Sequence, residues 1–573
     1  MVPYIWDHQG CDDGAVEQLA AALKLTPIVA RVLCLRGLSD PEEAERFLQP
    51  SLSHLHDPFK LTDMAAAVDR TIAAIARRER IAIHGDYDVD GITSTVILRR
   101  ALELLGADVV HFIPERLRDG YGLLETTIER LHAQGVALII SVDCGIRGLD
   151  AGRRARALGV DLIITDHHEP GAALPSALAV INPKRHDCLY PDKHLAGVGV
   201  ALKLVQALCV RSQREKWLPA FVKVAAIGTL ADVVPLVGEN RVIAKLGLEL
   251  LSKGPNKIGL QALLDVSGLT DRALDGSHVA FAIAPRVNAA GRMSDPDIAA
   301  RLLLATDETM ADEARQLAEQ LDGENVRRQQ EEASIVAEAG RIVDTDPAIG
   351  ARSVLVIAGD SWHRGVIGIV ASKLVDAFHR PAIVLSIEDD VAHGSCRSIP
   401  GFDMLAALDS CAPLFMRFGG HKQAAGLTMD AARVKEFRAA INRYADTVLT
   451  PDDLRPRLRI DGPVTFRGLN GEVAHQVSQL APFGAGNPRP MFSAADVEII
   501  DGPRTLKERH LKMALRQDGR TFRAVAWRAI ERQAFLQQHR ARLDFAFWLE
   551  QNTFNGETYL ELTVADARPA SDR

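Results

Sequence analysis

Three aspartates occupy alternate positions in HGDYDVDG, residues 84 to 91: Asp86, Asp88 and Asp90, with His84 heading the run. Carboxylates this close repel one another, so a folded loop of this composition needs a cation to offset the repulsion. The string begins like a calcium loop, which also requires a bidentate glutamate at its twelfth position. Counted from Asp86, the twelfth residue is Ile97. The apolar run RIAIH before the loop also reads as a strand, where a calcium loop would follow a helix. Calcium is disfavoured on both grounds. The plain alternative is a solvated acidic turn, which would need no partners elsewhere in the chain.

Partners are present. Asp143 closes VALIISVDCG, the stretch VDLIITDHHEP supplies Asp166, His167 and His168, and AAIGTLADVVPL supplies Asp232 at the end of an apolar, helical segment. Three strand ends thus carry carboxylate or imidazole, and a fourth acidic group arrives from a neighbouring segment. Any one of them alone could cap a helix. Together on one sheet edge they read as a site. Aspartate and histidine without thiolate suit Mn²⁺ or Mg²⁺ better than a structural zinc. Several carboxylates in one place suit two ions about 3.5–4 Å apart, bridged by one carboxylate. Such a pair polarises a phosphoryl group and activates water for in-line attack, and a histidine beside it can act as general acid.

The elements that must position these groups alternate from about residue 78. RIAIH, ADVVHFI, VALIISV, VDLIIT and ALAVIN read as strands, with helical stretches from Gly91 to Leu105 and over LETTIERLHAQG and LDAGRRARALG. Continuous Val, Ile and Leu imply strands buried on both faces, as in a parallel sheet, and repeated βα units imply a doubly wound α/β domain. In open sheets of this kind ligands bind at the carboxyl ends of the strands, where the acidic residues fall. Charge-rich residues 294 to about 345, with apolar positions at helical spacing, read as a helical connector. A second α/β domain begins at SVLVIAGD, with Gly-rich turns expected at GSCRSIPG and RFGGHKQAAG. From about 451 short strands predict a small OB-like β-barrel. The expected division is an N-terminal helical segment 1–60, a catalytic domain 61–293, a connector 294–346, a second domain 347–450 and a nucleic-acid-binding barrel 451–573.

The 573 residues, 47% hydrophobic and 25% charged, are ordinary for a globular protein of several domains. A net charge of −8 shows no global basic field, although residues 451–573 hold 18 Lys and Arg against 16 Asp and Glu. A local basic groove would suffice for nucleic acid. Seven cysteines with no C-x-x-C pair suit a reducing cytoplasm. Neither a signal peptide nor a membrane span is expected.

DYDVDG, VDCG, DHH and GTLADVVPL, in that order, resemble the DHH phosphoesterase superfamily. GDSWHRGVIGIVASKL and RFGGHKQAAG resemble its accessory DHHA1 domain. With PRVNAAGR, FIPERLRDGYGL and APFGAGNPRPMF, the chain from about residue 78 to its end is similar to the bacterial branch of single-strand-specific 5′→3′ exonucleases. The resemblance implies two α/β domains, DHH and DHHA1, joined by the helical connector and followed by the OB-like barrel. It implies Asp88, Asp90, Asp143, His167 and Asp232 as ligands of two Mn²⁺ or Mg²⁺ ions, with Asp143 bridging. His84 matches a ligand position in some members, Asp86 lies beside the site, and His168 is the catalytic histidine. Arg116, Arg286, Ser395 and Arg397 resemble phosphate-gripping positions, and His421 joins them at the end of RFGGH. Trp362 and Phe402 could stack on bases or lie in the core. The implied activity is release of 5′-mononucleotides from single-stranded DNA in recombination and repair. The implied partners are single-stranded DNA, a single-strand-binding protein and a helicase, with no membrane and a monomeric state. A small-nucleotide phosphatase or short-RNA nuclease of the superfamily, or a non-catalytic DNA-binding scaffold, are the alternatives. The barrel argues against the first two and the intact carboxylates against the last.

Overall fold

The computed structural model describes residues 4–116, 118–120, 122–554 and 557–570. Of the stretch FIPERLRDGYGL, Leu117 and Tyr121 lie outside the described residues. After a short strand β1 (Ile5–His8) and four α-helices, the first sheet comprises β2 (Arg80–His84), β3 (Asp108–Phe112), β4 (Val136–Val142), β5 (Asp161–Thr165) and β6 (Ala179–Ile181). All pair in parallel in the order β3-β2-β4-β5-β6. Side chains alternate between its faces. Ile81, Ile83, Leu138, Ile140 and Ile163 enter one core, whereas Ala82, Ile139, Leu162 and Ile164 enter another on the opposite face. Both faces are therefore covered, as continuous apolar strands require. The chain leaves β2 to one side for β3 and returns to the other for β4. That reversal opens a crevice at the carboxyl ends of β2 and β4.

The second sheet comprises β7 (Leu355–Asp360), β8 (Ala382–Glu388), β9 (Val391–Arg397), β10 (Phe415–Gly420) and β11 (Ala424–Asp430), in the order β10-β11-β9-β8-β7. Only β7 and β8 run parallel. GSCR and RFGG, expected as Gly-rich turns, are strand: Gly394 pairs with Leu427, and Gly419 with Gly426. Glycine keeps both backbone hydrogen-bonding groups, so it can complete a ladder while leaving the sheet face bare.

A 35-residue helix, Ala311–Thr345, joins the two units. Its first half packs Leu317 and Leu321 with Val89, Ile92 and Val96 of the first, and its second half packs Ile335, Ala339 and Val343 with Val366 and Val370 of the second. After strands β12 (Arg457–Ile460) and β13 (Gly462–Pro463) come β14 (Phe492–Leu506), β15 (His510–Gln517), β16 (Arg520–Ala526), β17 (Leu543–Phe554) and β18 (Glu557–Pro569). These last five close into a barrel because β14 pairs with β17 as well as β15. The N-terminal helices lie on this barrel. Leu19, Val29, Leu33 and Phe47 share a core with Phe466, Leu480 and Phe492, and β1 pairs in parallel with β12.

Candidate metal centre and phosphate cleft

β2 ends at His84, and the chain turns into the helix Val89–Leu104. Asp88 caps that helix, accepting from the Gly91 amide at 3.1 Å. A Cβ on Gly91 would lie 2.5 Å from the Asp86 backbone, so the turn can fold this tightly only with glycine there. Asp90, almost wholly buried, accepts from the amides of Gly197 and Val198 at 2.7 and 2.6 Å, at the N-terminus of the helix Gly197–Arg211. That helix end favours a carboxylate. Asp143, just past β4, has φ +60°, a left-handed conformation that aspartate tolerates better than most residues, and its amide donates to Thr165 O at 3.0 Å. A Cβ on Gly197 would meet Asp143 Oδ1 at 2.4 Å, so glycine lets the two segments close on one another. Asp232 follows the helix Leu218–Ala231.

These side chains converge. His167 Nε2 lies 3.2 Å from Asp143 Oδ1, 3.6 Å from Asp232 Oδ2 and 3.9 Å from Asp90 Oδ2. Three groups each hold their ligand atoms within 4.8 Å of one another: Asp86, Asp88 and Asp143; Asp90, His167 and Asp232; and Asp143, His167 and His168. Asp143 belongs to two of them. Asp143 Oδ1, His167 Nε2 and Asp232 Oδ2 are buried and reach no hydrogen-bond partner. Burial, reinforced by Asp88, pushes the Asp86 carboxyl up to about 8; burial and Asp232 push Asp90 to about 8, and burial and Asp88 push Asp232 to about 7. Burial and the surrounding carboxylates raise Asp143 well above its ordinary range. Orphaned ligand atoms among like charges that resist ionisation fit bound divalent cations, whose charge would supply what the protein lacks.

His167 and His168 differ. Burial lowers the His167 pKa, which favours the neutral ring a metal needs. For His168 burial opposes the charged form, but the hydrogen bond of Nδ1 to Asp166 Oδ1 at 2.8 Å outweighs it and raises the pKa. Asp166 in turn is held below its ordinary range despite burial, by that bond and by amides including Ile146 at 2.9 Å. His84 stands apart from the three groups. Its ring is fully buried against Phe112 at 5.6 Å, and burial pushes its pKa down to about 4.

A cleft of about 720 Å³ runs from His168, Tyr87 and Arg116 across to Ser395, Arg397 and His421 on the second sheet. Arg116 stacks 5.2 Å from the Tyr87 ring. Arg286 is not among the residues lining that cleft: it is paired to Asp322 of the connector at 2.8 Å and bonded to Ala282 O. Arg292 of the same helix, Ala284–Met293, instead bonds Gly365 O at 2.9 Å, and its lowered pKa of about 10 reflects burial first, then the neighbouring guanidinium of Arg116. PRVNAAGR has arginine at its second and last positions, six residues apart, so the two point about 120° apart around the helix. The motif carried the signal, but the sequence did not say which arginine faces inward. Trp362 and Phe402 are core: Trp362 Nε1 donates to Glu338 at 3.0 Å, and Phe402 packs among Ile399, Met404 and Phe437.

Asn240 also went unmarked in the sequence. Its side chain, fully buried, donates to Pro235 O at 3.1 Å and His194 O at 2.5 Å and accepts from Ala196 N at 3.2 Å. One amide group thus ties the segment after Asp232 to the helix end that grips Asp90. Across the same segment, Leu236 N donates to Ala485 O of the barrel unit at 2.8 Å.

Residues 80–229 match the DHH family N-terminal domain, 351–447 the DHHA1 domain and 460–566 the RecJ OB domain. The chain is 38% identical to the single-stranded-DNA-specific exonuclease RecJ of Bacillus subtilis, over 98% of this chain and 70% of that protein. It is 33% identical to the Escherichia coli exonuclease of the same name, over 95% of this chain and 96% of that one. Its fold is similar to that of Thermus thermophilus RecJ in complex with Mn²⁺, with a TM-score of 0.84 and 32% identity over 99% of this chain and 80% of the other. The same protein with Mg²⁺ matches with a TM-score of 0.79.

Proposed function

The chain belongs to the RecJ family of single-stranded-DNA-specific exonucleases, and from that premise we propose that it cuts single-stranded DNA from the 5′ end, one mononucleotide at a time, with two divalent cations. The observation that carries this reading is the convergence of buried, unpartnered ligand atoms on Asp143, His167 and Asp232 beside a cleft edged with arginine.

Asp88, Asp90, Asp143, Asp232 and His167 would hold the ions, with Asp143 a member of two of the three groups and Asp86 beside Asp88 and Asp143. Mn²⁺ or Mg²⁺ there supplies Lewis acidity and neutralises charge on the phosphoryl oxygens. The Asp90 carboxylate is oriented by two helix-end amides and Asp143 by its backbone turn, so little reorganisation accompanies the reaction. His168, its ring oriented by the Nδ1 bond to Asp166, would protonate the departing 3′-oxygen. Arg116, Ser395 and Arg397 would grip a terminal 5′-phosphate across the cleft, since guanidinium binds phosphate through two parallel hydrogen bonds. Arg292, near enough to Arg116 and Arg397 to feel their charge, adds to the positive field there. A strand held this way would bring its first phosphodiester to Asp143, His167 and His168, and the cleft between the two units would admit one strand. We extend the reading to a monomer supplied with substrate by a single-strand-binding protein and a helicase. Its seven free thiols suit the cytoplasm, and among the described residues no helix is long and apolar enough to cross a membrane.

The test uses single strands labelled at either end, with 5′-phosphate or 5′-hydroxyl, in Mn²⁺ and in chelator. Mononucleotides should appear first from the 5′ end and only with metal. Arg397→Ala should slow cutting of the phosphorylated strand about ten- to a hundredfold and the hydroxyl strand less. Shortening from the 3′ end, or equal slowing of both substrates, would overturn the polarity reading.

A further inference from the structure

The cleft continues past the proposed phosphate grip. Side chains alternate along β9, so His393, Ser395 and Arg397 share one face while Ala392 and Cys396 are buried on the other. His393 pairs across the sheet with Thr428 of β11, and Thr428 with Arg417 of β10. Arg417 Nε donates to Thr428 Oγ1 at 3.3 Å. Arg364, from the loop after β7, lines the same cavity, as do His393, Arg417 and Thr428. Burial, then the Arg364 guanidinium, and Arg417 beyond the opposing pull of Glu388, hold the His393 ring below its ordinary pKa. Glu388 is the carboxylate that acts on His393, and it stands 3.9 Å from Arg364. Two guanidiniums thus bear on the His393 imidazole against one carboxylate.

The order along the cleft is set by the strand. Arg397 lies beside Arg116, toward the metal centre. His393 lies two residues beyond Ser395 in the other direction, about 7 Å along the strand. Glycine keeps the adjoining sheet face bare, with Gly426 opposite Ser395 and Gly419 opposite Gly426. An anion anchored at Ser395 and Arg397 can thus extend over open backbone to Arg364, His393 and Arg417.

We propose that Arg364, His393 and Arg417 form a second anion site that receives the outer phosphates of a 5′-polyphosphorylated single strand, so that a 5′-triphosphate end is bound and cut. This rests on the 5′-phosphate grip above. The bond cut is the one between the first and second nucleotides. Water oxygen bonds to phosphorus, the P–O3′ bond breaks, and a proton goes to the departing O3′. The first nucleotide leaves with its triphosphate intact, and the shortened strand carries a 5′-monophosphate.

The experiment measures kcat/KM for strands of one sequence ending in 5′-hydroxyl, 5′-monophosphate or 5′-triphosphate. The proteins are the full chain, Arg364→Ala, Arg417→Ala and the double variant, and first-turnover products are separated by charge. The wild type should cut the triphosphate strand at least as well as the monophosphate strand and release a nucleoside 5′-triphosphate first. The double variant should lose about three- to thirtyfold on the triphosphate strand and about twofold or less on the monophosphate strand, because these arginines are partly exposed. The monophosphate strand reports folding in each variant. Equal losses on both phosphorylated strands, or a triphosphate strand cut no faster than the hydroxyl strand, would overturn the second site. If instead the monophosphate gave no advantage over hydroxyl in the wild type, the grip itself would fail, which is a different result from loss of the triphosphate preference alone.

Discussion

His167 and His168 are adjacent in the chain and work in opposite electrostatic settings. The first faces three carboxylate oxygens through an unpartnered nitrogen, and the second hands its Nδ1 to Asp166. His167→Ala should therefore reduce Mn²⁺ binding measured by calorimetry. His168→Ala should bind Mn²⁺ nearly normally and turn over about 10²–10⁴ times more slowly. Equal loss of metal in both would defeat this division. The carboxylates make a separate prediction. In the metal-free protein Asp86 and Asp90 keep their protons to about 8 and Asp232 to about 7, whereas an unfolded chain loses them near 4. Folded-state pKa values raised in this way favour folding at low pH, and that contribution is lost as pH climbs from about 4 to about 8. A bound cation removes the loss by favouring the ionised form. The rise in Tm on adding Mn²⁺ should consequently grow from pH 5 to pH 8 in thermal melts. A rise independent of pH would contradict the carboxylate cluster as the binding site.

Elements reach the centre at the wrong angle or distance unless small or polar residues set their approach. Gly91 and Gly197 let backbone come within van der Waals range of Asp86 and Asp143. Asn288 Oδ1 accepts from Val89 N at 3.1 Å, holding the helix that carries Asp88 and Asp90. Asn240 joins two ligand-bearing segments. Removing it leaves the buried Ala196 N without that acceptor, at about 1–3 kcal/mol, and takes a donor from the part-buried His194 O and Pro235 O. Asn240→Ala is accordingly expected to weaken Mn²⁺ affinity about tenfold, with turnover recovering at high Mn²⁺. A lowered Tm with unchanged Mn²⁺ affinity would reduce Asn240 to a structural role.

The chain closes on itself at the scale of the whole molecule. β1 pairs with β12, Trp6 Nε1 donates to Asp566 at 2.8 Å, and the first three helices complete the barrel's core. Arg241, beside Asn240, donates to Phe47 O, Leu480 O and Ala481 O, so the N-terminal segment, the catalytic unit and the barrel meet at one guanidinium. Deleting residues 1–48 strips Val16, Leu19, Val29, Leu33 and Phe47 from the barrel core. At about 1.5–3 kcal/mol for each side chain, that loss rivals the whole stability of a domain. The truncated protein should lose the near-ultraviolet circular dichroism of Trp548, which packs beside Trp6 and Leu458. Retention of that signal and of a cooperative melt within a few degrees of the full chain would show the barrel to be self-sufficient.

The residue types of the candidate metal centre were legible because metal chemistry restricts them: DYDVDG, VDCG and DHH place carboxylate and imidazole groups at strand ends, where the structure brings them together, and periodic apolar runs announce the sheet that aligns them. Strand β9 was misread because Gly-rich composition signals a turn locally, while ladder hydrogen bonds to β8 and β11 decide otherwise. Arg286 and Arg292 were indistinguishable by motif, since only the packing of their helix determines which one turns inward. Asn240 left no signal at all. Its importance comes from three backbone groups, on His194, Ala196 and Pro235, that the chain brings around one side chain only after folding. Local chemistry is written in neighbouring residues, whereas the choice among equivalent side chains, and the burial that makes a hydrogen bond indispensable, are properties of the assembled core.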